Sequence, residues 1–175
     1  MTFLIISSSL SPESRSRLMA QYTYKQLKKK TSDVELIDLL DYSLPICDGS
    51  SDTMDHPLSK QLKTKIREAK GILIATPVYN FNVNSAIKNL IELTGRAWTD
   101  KIVGFICSAG GGRSYMSVMG LANSLMLDFR SIIIPRFVYF NESINIENLL
   151  DKTTKDRLEK LNDELLRFVN GLKKD

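Results

Sequence analysis

The 175-residue chain predicts an α/β domain built on a doubly wound, five-stranded parallel sheet with helices on both faces. Three observations predict it. The runs Thr2–Ile6, Gly71–Ala75 and Lys101–Cys107 are apolar almost throughout instead of alternating, the pattern of strands covered on both sides. Stretches with apolar residues three and four apart separate these runs, so strand and helix alternate along the chain. Each run also ends abruptly in a loop of serines, asparagines or glycines, the composition expected where an open α/β sheet presents a ligand crevice at the carboxyl ends of its strands.

In chain order, strand one is Thr2–Ile6, and a helix to about Lys30 follows with Leu18, Tyr22 and Leu27 as inward candidates. Val34–Asp38 is a short second strand whose last residue reads as a solvent-facing strand end, because the glycine fingerprint that accompanies an acidic ribose ligand is missing. Leu44–Gly49 opens a polar loop to about His56-Pro57 that borders the crevice or crosses the surface. Leu58, Leu62, Ile66 and Ala69 mark a helix. The third strand starts at Gly71 and is ended by Pro77. Asn84 or Ser85 caps the next helix, which runs to about Gly95 with Ile87, Leu90, Ile91 and Thr94 on one side. Lys101–Cys107 is strand four, and a helix from Tyr115 to about Leu127 carries Met116, Met119 and Met126 as adaptable packing. Ile132–Tyr139 is strand five. The final helix has Leu158, Leu161, Leu165, Phe168 and Leu172 as a core-facing stripe or the seat of a partner helix.

Composition bounds the function. With 43% hydrophobic and 25% charged residues the chain is an ordinary globule, and no shift in composition divides it, so residues 1–175 are expected to form a single domain. The amino terminus lacks a basic leader and an apolar span, and the two cysteines, Cys47 and Cys107, form no paired motif; both point to a cytoplasmic protein with no membrane attachment. A single histidine, His56, leaves no basis for a histidine-built metal cluster or catalytic triad. The net charge of +4 is carried largely by Lys28-Lys29-Lys30 and Lys173-Lys174 at expected helix ends. Without a basic stripe interleaved with aromatics, nucleic acid is not an expected partner. A mild positive field does suit a phosphorylated ligand.

The loops carry the chemistry. Ser7 through Ser16 place six serines and Arg15 before a helix, where unpaired amides and the dipole attract an anion. One serine would cap the helix; six with an arginine point further, to an anion site. The loop has no glycine and no P-loop lysine, which excludes a dinucleotide turn and a Walker site and leaves a terminal phosphomonoester, as in a mononucleotide. After strand three, Pro77 and Tyr79 offer apolar faces, and the amides of residues 78 to 80 with the Asn80 side chain offer polar edges to a flat ring. After strand four, Ser108-Ala109-Gly110-Gly111-Gly112 lets backbone approach a ligand closely.

A phosphate loop after strand one and a flat-ring site after strands three and four describe a flavin mononucleotide site. With these motifs the chain resembles the flavodoxin-like NAD(P)H-dependent FMN reductases, which include flavin, quinone, chromate and azo reductases, and within them the flavin reductases that serve two-component monooxygenases. The resemblance rests on Ser9–Ser16, Leu44–Gly49, Ala75–Asn89 and Ser108–Gly112. It implies that Ser9, Ser14, Arg15 and Ser16 hold the FMN phosphate, that Pro77, Val78, Tyr79 and Asn80 hold the isoalloxazine edge, and that Ser108, Gly110, Gly111 and Gly112 hold its other side. It further implies NADPH or NADH as hydride donor, a small-molecule electron acceptor, a homodimer or homotetramer, and a monooxygenase as partner. No general acid or base is required of the protein. Many members have glycine where Ser8 stands, glutamate at Val78 and a Pro-Gly pair near Asn84-Ser85. The alternative reading is a non-enzymatic, flavodoxin-type electron carrier, against which the basic charge and the form of the phosphate loop speak.

Overall fold

The computed structural model describes residues 2–141 and 150–172; Lys173 and Lys174 lie outside them. β1 (Thr2–Ser7), β2 (Val34–Asp38), β3 (Ala69–Tyr79) and β5 (Ile102–Ala109) pair in parallel in the order β2-β1-β3-β5. The next position is shared by two short segments, β6 (Ile132–Ile133) and β7 (Val138–Asn141), each parallel to β5. The expected fifth strand over Ile132–Tyr139 is therefore broken. Pro135 supplies no amide to a ladder, and the segment between the pieces leaves the sheet. β4 (Asn82–Val83) is a small antiparallel addition that folds back on the end of β3.

Covering both faces explains the unbroken apolar runs. Leu4 and Ile6 of β1, Ile72 and Ile74 of β3, and Val103 and Phe105 of β5 enter one core. There they meet Leu62 and Ile66 of α3 (Pro57–Glu68), Ile87, Leu90 and Ile91 of α4 (Ser85–Thr94), and Leu121 and Leu125 of α5 (Met119–Phe129). The alternate residues Phe3, Ile5, Leu73 and Ile106 enter the second core with Met19 and Leu27 of α1 (Arg15–Lys30) and Leu158, Leu161, Leu165 and Val169 of α6 (Lys152–Gly171). α2 is a single turn, Ser51–Met54, in the long polar loop. Each large side chain so covered contributes roughly 1.5–3 kcal/mol. α6 lies so close that a Cβ on Gly71 would come within 2.7 Å of Leu165 Cδ1 and 3.0 Å of Val169 Cγ2.

Several side chains depart from the periodicity. Leu18 is exposed, and Met19, Ala20 and Thr23 face the core in its place. On α6, Phe168 is half-buried against the core, Val169 joins the stripe beside it, and Leu172 is exposed. The methionine helix starts at Met119 and not Tyr115, and Met116, Met119 and Met126 face outward instead of packing. Trp98 is fully buried, with Nε1 donating to Thr94 Oγ1 at 2.8 Å. Asn84 occupies the cap position of α4 but makes no capping hydrogen bond, because its side chain is used elsewhere.

Candidate functional site

Register alone brings the loops together. Ser7 lies opposite Ala75 in the β1–β3 ladder, and Pro77 opposite Ser108 in the β3–β5 ladder, so the three loops leave the sheet side by side. The chain turns outward to β2 on one side of β1 and returns to β3 on the other, which makes the gap between these loops the switch point of the strand order. A cleft of about 190 Å³ opens there. The first loop supplies Ser9, Ser11, Glu13, Ser14 and Arg15 to its wall; the second supplies Pro77, Val78 and Tyr79; the third supplies Ser108, Ala109 and Gly110.

The first loop is built as an anion seat. Ser14 caps α1, its hydroxyl accepting from the Arg17 amide at 3.3 Å and lying 2.9 Å from Ser16 Oγ. No acidic residue occupies the first turn of this 16-residue helix, so its dipole is not offset there. Ser9 Oγ accepts from the Ser11 amide at 3.3 Å. Ser16 is fully buried and touches the cleft only through Ser14. Arg15 brings the cation, and Glu13 puts a carboxylate at the same wall.

The second loop is held from behind by Asn84. Its Nδ2 donates to the Ser8 carbonyl at 2.6 Å, and its Oδ1 accepts from Ser8 Oγ at 2.8 Å and Thr76 Oγ1 at 3.1 Å. One buried amide thus ties the phosphate-side loop to the ring-side loop. Beyond Tyr79 the chain reverses in a two-residue turn in which both Asn80 (φ 51°) and Phe81 (φ 60°) are left-handed. Asn80 is therefore committed to the turn and does not line the cleft. Phe81 pays a conformational cost that asparagine largely avoids.

The third loop is clamped by Tyr139, whose hydroxyl donates to the Gly111 carbonyl and lies 2.8 Å from Ser114 Oγ. Gly111 and Gly112 sit beyond the cleft wall, which only Gly110 of the three reaches. The polar loop after β2 is fastened to α4 by Asn89: its Nδ2 donates to the Pro45 carbonyl at 2.9 Å and its Oδ1 accepts from the Cys47 amide at 2.8 Å. In that loop, hydrogen bonds from Ser50 and Thr53 hold the Asp48 carboxyl down to about 2. Cys107, beneath the cleft, is buried enough to push its thiol up to about 12, so it stays protonated and packs as an apolar group. His56 is at the start of α3, where Nδ1 accepts from the Leu58 amide at 3.3 Å, and is not part of the cleft wall.

The sequence reading missed Arg17 and Asp38. Asp38 is no free strand end: its carboxylate pairs with the Arg17 guanidinium beneath the first loop. Asn84 and Tyr139 were missed as loop clamps for the same reason, since each partner is distant in sequence.

A parallel α/β sheet with hydroxyls, an arginine and a helix mouth on one side of its switch-point cleft, and a proline and a tyrosine on the other, defines a flavodoxin-like nucleotide-binding protein. The chain belongs to the NADPH-dependent FMN reductase family, whose description matches residues 1–144. It is 26% identical over 147 residues to an NAD(P)H-dependent FAD/FMN reductase of Geobacillus thermodenitrificans, covering 81% of this chain and 78% of the relative. It is 31% identical over 139 residues to an NADPH:quinone oxidoreductase of Arabidopsis thaliana, covering 73% and 70%. The fold also matches the flavoenzyme NAD(P)H:(acceptor) oxidoreductase FerB of Paracoccus denitrificans, with a TM-score of 0.77 at 20% identity over 97% of each chain. A second solved structure, the apo form of the NADH:FMN oxidoreductase EMOB, superposes with a TM-score of 0.71 at 16% identity over 99% of this chain and 91% of that one. Among the described residues no helix is long and apolar enough to cross a membrane, and no group of three or more His, Cys, Asp and Glu could hold a metal ion.

Proposed function

We propose that this chain, as one FMN-binding domain over residues 1–175, is an NAD(P)H-dependent oxidoreductase that passes electrons from a nicotinamide donor through FMN to a small-molecule acceptor: free flavin, a quinone, an azo compound or a metal oxyanion. The observation that carries it is the meeting of three strand-end loops in one cleft, with phosphate chemistry at one end and flat apolar faces at the other. The donor set fits the group. Ser9, Ser11, Ser14 and Arg15 gather hydroxyls and one cation at the mouth of α1, the match for a phosphomonoester.

Bound FMN supplies the two-electron redox chemistry. Pro77, Val78 and Tyr79 would hold the ring from one wall of the cleft, and Ser108, Ala109 and Gly110 would limit it from the other. Asn80, Gly111 and Ser16 support those contacts from outside the cleft wall: Asn80 turns the hairpin, Gly111 takes the Tyr139 hydroxyl, and Ser16 orients Ser14; Gly112 follows Gly111 beyond the wall. No side chain is asked to move a proton. The protein is read as cytoplasmic and homo-oligomeric, with a two-component monooxygenase as one class of consumer for reduced flavin. Membership in a family of reductases favours an enzyme over an electron carrier. Steady-state oxidation of NADH and NADPH by the FMN-loaded protein, with free FMN, a quinone and an azo dye as acceptors, tests this reading; FMN binding without turnover on any acceptor would return it to the carrier.

A further inference from the structure

We propose that Arg17, a residue behind the first loop, is the positioning residue that gives this cleft its affinity for phosphate. The inference rests on the FMN reading above and deepens it. Arg17 is close to buried, with its side chain 9% exposed, and it does not line the cleft. Its guanidinium donates to three carbonyls of the loop: Nη2 to that of Ser9 at 2.7 Å, Nη1 to that of Ser11, and Nη1 to that of Pro12 at 2.9 Å. Asp38 fixes the other edge of the fork, accepting from Nε and, at 3.2 Å, from Nη2.

This arrangement sets the direction of the loop's amides. In a trans peptide the N–H points opposite to the carbonyl of the preceding residue, and the described chain has no cis bonds. Drawing the Ser9 and Pro12 carbonyls onto Arg17 therefore turns the Leu10 and Glu13 amides to the opposite side of the loop, away from the guanidinium. Ser11 is followed by a proline, so its carbonyl can be drawn inward with no amide to place. The loop contains no glycine, so backbone freedom does not shape it; a rigid fork that spans three acceptors does. The partnership with Asp38 also offsets the charge of Arg17. Orientation then comes from the buried arginine, and the cationic contact with an anion is left to Arg15 in the wall. Two arginines separated by one residue thus have different tasks.

The test separates geometry from charge. Lysine at this position keeps the charge and most of the stem but concentrates its donors on one nitrogen, which cannot bridge three carbonyls and a carboxylate. Dissociation constants for FMN and for riboflavin are measured by flavin fluorescence on the wild type, Arg17→Lys and Arg17→Gln, with near-UV circular dichroism on each. Both variants should weaken FMN by about tenfold or more while changing riboflavin by less than about twofold. Retention of FMN affinity by Arg17→Lys would overturn the inference, because charge would then suffice. Equal weakening of both flavins, or loss of the folded state in Arg17→Lys, would overturn it too by assigning Arg17 to the fold. A wild type that binds riboflavin as tightly as FMN would instead remove the phosphate site itself, a failure visible before any variant is made.

Discussion

At the scale of the residue, the site divides into groups that face the cleft and groups that hold those groups. Arg15 faces it, so Arg15→Ala should raise the FMN dissociation constant roughly ten- to a hundredfold, the equivalent of about 1.5–3 kcal/mol for a hydrogen bond to a charged group, and leave riboflavin nearly unchanged. Calorimetric titration with both flavins checks it; parallel losses would move the anion site off Arg15. His56 gives the opposite expectation. Its ring accepts from the Leu58 amide at the start of α3 and stands outside the cleft wall, so His56→Ala should cost about 1 kcal/mol of stability, as loss of a cap does, and leave turnover close to wild type. A hundredfold fall in kcat at unchanged flavin affinity would reveal a chemical role for the imidazole. Residues that face the cleft were largely legible in the sequence, because serine, arginine, proline, tyrosine and glycine in a strand-end loop have few other uses there. Residues that hold them were not. Nothing near Asp38 announces Arg17, 21 positions away, and nothing near Asn84 announces Ser8, 76 away; the fold creates both contacts.

At the scale of the element, helix and strand existence followed from periodicity, whereas ends and rotations followed from packing. Leu18 reads as inward by spacing, yet α1 is rotated to place Met19, Ala20 and Thr23 on the sheet, because α6 has to share that face. The two helices are joined by side chains on their flanks: Tyr22 donates to Glu159 at 2.6 Å, Asn162 Nδ2 donates to the Thr23 carbonyl at 3.2 Å, and Lys30 pairs with Asp163. This joint has a pH signature. Burial, and then the bond to Glu159, push the Tyr22 phenol from 10.0 up to about 12. The folded protein keeps that proton after the unfolded chain has released it, so the contribution is whole below pH 10.0 and is lost as pH rises toward about 12. Urea midpoints followed across this window should fall more steeply for the wild type than for Tyr22→Phe, which has no proton to lose there. Identical slopes would place the phenol outside the joint. The broken strand β6/β7 and the hairpin to β4 belong to the same lesson. Pro135 interrupts an otherwise good strand run, and the Asn80-Phe81 turn puts a bulky residue where sequence statistics expect glycine.

At the scale of the whole molecule, association requires an apolar surface, and neither Trp98 nor the Ile87, Leu90 and Ile91 stripe of α4 supplies one, because both are buried within this chain. Exposed apolar side chains occur on several faces of the described residues, among them Ile46, Met116 and Leu127, and one group of them stands beside the cleft. Tyr79 is 54% and Phe81 68% exposed on the β3–β4 hairpin, and Leu10 is exposed on the first loop. Phe81 also holds a left-handed backbone, which costs a non-glycine residue on the order of 1–2 kcal/mol. Strain and exposed aromatic surface at the same hairpin tip are unfavourable for a monomer and are offset when a second copy covers the tip, as a two-fold interface would. Light scattering at micromolar concentration should therefore show a dimer or tetramer, and Phe81→Asp should shift it toward monomer with little change in melting temperature, since this side chain packs on nothing in its own core. Because the hairpin carries Tyr79 of the cleft wall, the same variant should also weaken flavin binding in the monomer it produces. A wild type that scatters as a monomer would sink the assignment, as would a Phe81→Asp protein that keeps its assembly.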